Sequence, residues 1–74
     1  MPEQLSRAVA AEVRRLLDER GWSGRELARR TGMTQGSVAR KLGDQHPFDV
    51  DDLQAVCAAL GVDVADLMAW AQRG

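Results

Sequence analysis

Apolar residues along this chain recur at helical spacing, and each recurrence begins and ends on a recognisable boundary residue. Leu5, Val9, Val13, Leu16 and Leu17 fall on one stripe, predicting an amphipathic helix over residues 4–20, with Gly21 to stop it. Ser23 is placed to cap a second helix over 24–31, whose inward residues are Leu27 and Ala28 and whose end is Gly32. Glu26, three residues after Ser23, predicts a capping box, and Trp22 with Leu27 a hydrophobic staple. Thr34 repeats the cap for a helix over 35–43, with Met33 and Val38 as the staple. Gly43 or Asp44 ends this third helix, and Pro47 disfavours helix at His46. Asp49 then opens a helix over 50–60, with Leu53, Val56, Cys57 and Leu60 inward and Gly61 at its end. Asp63 opens the last, over 64–72, with Val64, Leu67, Met68 and Ala71 inward. Local signals that agree this often specify an all-α, five-helix domain, and no strand pattern competes.

The third helix differs from the rest. Val38 and Leu42 share one side, at i and i+4, while Gln35, Gly36, Ser37, Arg40 and Lys41 occupy the other. A short helix that buries two large residues and turns amides, hydroxyls and cations outward suits the DNA major groove.

The stretch LARRTGMTQGSVARKL, from Leu27 to Leu42, resembles the helix-turn-helix of the lambda-repressor/Cro (XRE) family. Leu27-Ala28, Gly32, Thr34, Gln35 and Val38 stand in that family's order and spacing, and the resemblance extends over roughly residues 5–70. It implies a compact lambda-repressor-like domain with the helix-turn-helix at its second and third helices. It also implies a sequence-specific DNA-binding transcriptional regulator, acting as a repressor, with no enzymatic activity. The implied partner is double-stranded DNA with a palindromic operator, bound by a homodimer. Two departures stand out. Many members carry Gln where this chain has Gly24, and its side chain clasps a phosphate. Many also have an acid followed by Gly after the recognition helix, where this chain reads Leu42-Gly43-Asp44. HPFDVDDL resembles a subset of actinobacterial members.

Base-edge reading falls to Gln35, Gly36, Ser37 and Arg40. A Gln amide bonds adenine N6 and N7 together, and an Arg fork suits guanine O6 and N7. Phosphate contacts are expected from Ser23, Arg25, Thr34, Lys41 and His46, helped by the amides at the start of the second helix. The alternatives remain an ordinary exposed helix face and a solvated loop histidine. Arg7, Arg14 and Arg15 read as a solvated face paired with Glu3, Glu12, Asp18 and Glu19, or as one phosphate grip. Leu67, Met68 and Trp70 are the expected dimer contact; Trp70 could instead close the core.

Net charge is −1 over 74 residues, which alone argues against a nucleic-acid partner. Its distribution reverses the argument. Residues 23–46 carry five cations against two acids, giving +3, and residues 47–74 carry one cation against five acids, giving −4. The acidic half raises a second possibility, a protein-binding adaptor such as an antitoxin or phage control protein. One cysteine and one histidine rule out an internal disulfide and an ordinary zinc site, and no cofactor motif or catalytic set is present. The polar start Met-Pro-Glu-Gln and the lack of a long apolar run predict a cytoplasmic chain with no membrane span.

Overall fold

The computed structural model describes residues 3–73, with Glu3 as backbone only, so the pairing expected of the Glu3 side chain lies outside the described part. Five helices follow one another: α1 Glu3–Arg20, α2 Gly24–Thr31, α3 Gln35–Leu42, α4 Val50–Leu60 and α5 Val64–Arg73. α1 packs on α5 and α3, α2 on α3 and α4, and α4 on α5. One core receives side chains from every helix: Val13, Leu27, Val38, Val56 and Leu67 are at most 1% exposed. Phe48 joins that core from the α3–α4 loop, while Leu5, Leu42, Val64 and Met68 of the expected stripes are only partly covered.

The caps explain why the elements start where they do. Ser23 accepts the Glu26 amide and Thr34 the Ser37 amide, both at 3.1 Å, and Asp63 accepts the Ala65 amide at 2.8 Å. The capping box expected at Ser23 is only half made. The Glu26 carboxylate takes Arg29 at 2.5 Å and Arg30 at 2.6 Å, because two guanidiniums within one turn outcompete a neutral amide. The complete box belongs to α4, where Asp49 accepts from the Asp52 amide and Asp52 from the Asp49 amide.

The ends are set differently. α4 closes on Gly61, with φ 73°, but α3 closes one residue earlier than expected. Its left-handed position falls on Asp44, with φ 64°, and not on Gly43, with φ −88°. The Gln45 amide bonds the Arg40 carbonyl at 2.9 Å and the Asp44 amide the Lys41 carbonyl at 3.4 Å, a Schellman arrangement with aspartate in the glycine place. Two α1 arginines then cap the last residues of other helices. Arg14 donates to the Leu42 carbonyl, and Arg20 donates to the Leu60 carbonyl at 2.6 Å. A guanidinium at a helix C-terminus satisfies an orphan carbonyl and opposes the negative dipole end.

Candidate nucleic-acid interface

α3 is held from one side. Val38 is its only fully buried residue, Leu42 is partly covered, and Thr34 fixes where the helix begins. Gln35, Gly36 and Arg40 are exposed, and Ser37 is half-buried. The Arg40 guanidinium lies back along the helix: a Cβ placed on Gly36 would stand 3.4 Å from its Nη1. The missing side chain at position 36 therefore leaves Arg40 space to lie flat or to swing outward.

Ser23 and Arg25, at the start of α2, are exposed as well. Ser23 satisfies the Glu26 amide and leaves the first two amides of the helix without an intrahelical partner, as Thr34 does for α3. Gly24 is turned inward. A Cβ there would meet Leu42 Cδ1 and Val38 Cγ1 at 3.6 Å, so α2 begins against the inner side of α3.

The cations of residues 23–46 are unequally committed. Arg29 and Arg30 both bind Glu26, and the Arg30 guanidinium also stacks 4.1 Å from the Trp22 ring centroid. Hydrogen bonds from Arg29 and then Arg30 hold the Glu26 carboxyl below its ordinary range. Among the described residues Arg25 and Arg40 make no ion pair. Lys41 departs from its expected outward position: it turns across the α3–α4 loop to Asp52, at 2.5 Å, with only 17% of its side chain exposed. Burial raises the Asp52 carboxyl, but the bonds from Lys41 and the Asp49 amide outweigh burial and leave it lowered. Sequence reading missed Asp52, although its place in the first turn of α4, across the loop from Lys41, was a signal for it.

His46 is exposed on the loop and lines a cleft of about 240 Å³ with Arg7, Lys41 and Asp44. Of the expected α1 phosphate grips, Arg15 is tied to Glu12 at 2.8 Å and Glu19 at 2.5 Å, and Arg14 to α3 and Asp44. On α5, Leu67 is 0% exposed and is removed from the expected dimer contact. Its stripe position was right, but α1 and α4 both pack on α5 and close over it. Met68 and Trp70 stay half-exposed, and the Arg15 guanidinium lies 5.8 Å from the Trp70 ring centroid.

Buried Cys57 is a core residue, its thiol pushed up by burial and by nearby Asp63. No grouping of metal-ligating side chains occurs among the described residues, and no single helix there is long and apolar enough to cross a membrane.

No curated protein matches the chain. Two crystal structures of the clp gene regulator ClgR from Corynebacterium glutamicum resemble it, each at 29% sequence identity. One has a TM-score of 0.84 and covers 93% of this chain and 90% of its own; the other has 0.85, with 93% and 73%. The family model of the Cro/C1-type helix-turn-helix DNA-binding domain matches residues 12–72. With α2 and α3 as the helix-turn-helix, the chain belongs to the Cro/C1-type family of DNA-binding domains.

Proposed function

We propose that this domain is a sequence-specific transcriptional regulator, acting as a repressor, that lays α3 in the major groove of its operator. The observation that carries the reading is the outward strip of α3: Gln35, Gly36 and Arg40 are exposed on a helix whose one fully buried residue is Val38. In this reading Gln35, Gly36, Ser37 and Arg40 meet base edges, with the amide and guanidinium as the hydrogen-bonding readers. Ser23, Arg25, Thr34 and His46 meet phosphates, the first three around two helix N-termini whose dipoles favour anions. Likeness to ClgR, described as a clp gene regulator, supports a role in transcription.

The operator is palindromic and bound by a homodimer, with half-sites ~34–36 Å apart. Half-exposed Met68 and Trp70 on α5 are the contacts that favour pairing of two copies. Selection of bound duplexes from a random pool tests both parts. A palindrome with one-turn half-site spacing is the expected result. A single half-site would defeat the dimer, and no enrichment at low salt would defeat the DNA-reading role.

The exposed acids Asp51, Asp63 and Asp66 favour a second reading, an adaptor that binds a basic partner protein through its C-terminal half. Its test is partner capture by a variant with Met68 and Trp70 replaced by Ser. Undiminished capture would count against that surface.

A further inference from the structure

Lys41 sits beside Arg40 on α3 and in the wall of the cleft that Arg7 and His46 also line. Three basic side chains there would make an attractive seat for a phosphate, but two carboxylates are built into the same place. Asp44 lies on the cleft wall, 3.8 Å from Arg14, and Asp52 takes the Lys41 ammonium at 2.5 Å. The Asp52 Oδ2 that binds Lys41 also accepts the Asp49 amide, at 3.0 Å, and the Asp52 side chain is 15% exposed. Moving Lys41 to a phosphate would exchange one anion for another and strand a partly desolvated carboxylate.

We propose that Asp52 withholds Lys41 from the DNA phosphates, so that this ion pair limits how tightly the domain holds DNA irrespective of sequence. The inference rests on the DNA-binding reading above. A cation that neutralises a phosphate adds about 0.9 to the slope of log affinity against log salt. While Asp52 neutralises it, Lys41 adds nothing. Once released, it adds one such increment, which amounts to about eightfold in affinity between 1 M and 0.1 M salt.

The experiment is titration of a random-sequence duplex at several salt concentrations with the wild-type chain, Asp52→Asn, Lys41→Gln and the double variant. Asn keeps an oxygen for the Asp49 amide while removing the charge. The expected result is a slope steeper by about 0.9 for Asp52→Asn. Lys41→Gln and the double variant should keep the wild-type slope, with circular dichroism verifying the fold of each. An unchanged slope in folded Asp52→Asn overturns the proposal. So does a Lys41→Gln slope flatter by about 0.9, which would mean that Lys41 already meets a phosphate. If Asp52→Asn fails to fold, Lys41→Gln alone decides. A wild-type chain that ignores the duplex at every salt overturns this inference together with the DNA-binding reading. A wild-type chain that binds while Asp52→Asn leaves the slope unmoved overturns this inference alone.

Discussion

Replacing Asp44 with glycine should stabilise the domain. Asp44 is the one non-glycine among the described residues with positive φ, 64°, and it holds the left-handed place after α3. A Cβ in that region costs about 1 kcal/mol, and aspartate tolerates it better than most residues without escaping the cost. Against this gain stands the Arg14 contact at 3.8 Å, whose side chains are 41% and 34% exposed. An ion pair so open to water contributes about 0.2–0.5 kcal/mol. The net expectation for Asp44→Gly is a gain of about 0.5–0.8 kcal/mol. In a domain of this size that raises the thermal midpoint by roughly 2–6 °C. Asp44→Asn separates the two effects, because asparagine accepts the left-handed conformation but carries no charge. It should melt slightly below wild type. Thermal unfolding followed by circular dichroism on the three proteins is the assay. An Asp44→Gly protein that melts no higher than Asp44→Asn would refute the reasoning, since relief at the backbone would then have no measurable value.

Gly24→Ala places a methyl at ordinary contact distance from Leu42 and Val38 and should add about 0.4–1 kcal/mol, read by denaturant unfolding. Leu27→Ala empties a site that is 0% exposed and should cost about 2–5 kcal/mol by the same measurement. Arg40→Ala should weaken operator binding by about 1–3 kcal/mol and relax preference at one base; unchanged affinity and preference would remove Arg40 from the reading surface. Asp52 has a folded value lowered from 3.8, so its contribution to stability is present above that pH and is lost as pH falls through the lower folded value. Acid unfolding should therefore steepen below about pH 4, and Asp52→Asn should lack that part of the profile.

The elements legible in the sequence were those governed by neighbours three or four residues apart. Ser23, Thr34, Asp49 and Asp63 all act as caps because a side-chain oxygen and an amide two or three places on meet in any helix start. The Glu26–Arg30 pair obeys the same short spacing. What escaped depends on chain segments meeting in space. Lys41 finds its partner eleven residues away, across a loop, and Arg14 reaches a carbonyl twenty-eight residues away. Leu67 shows the same limit: periodicity names an inward side but not how many neighbours close over it. The Gly43-Asp44 order was visible, yet only the backbone reveals that aspartate and not glycine takes the left-handed place. Of the candidate interface, the identity of the outward α3 residues was readable, and the commitment of its cations was not.

The two tryptophans, each with a guanidinium laid against its ring, have a practical consequence. Trp22 lies at the α1–α2 junction beneath Arg30, immediately before the cap of the helix-turn-helix, and Trp70 lies on α5 near Arg15 of α1. The chain contains no other tryptophan and no tyrosine. Its ultraviolet emission is therefore the sum of two intrinsic probes seated at different helix junctions. Trp22→Phe and Trp70→Phe variants split that sum, so an unlabelled sample can show whether the helix-turn-helix and the α1–α5 seam loosen together or in turn.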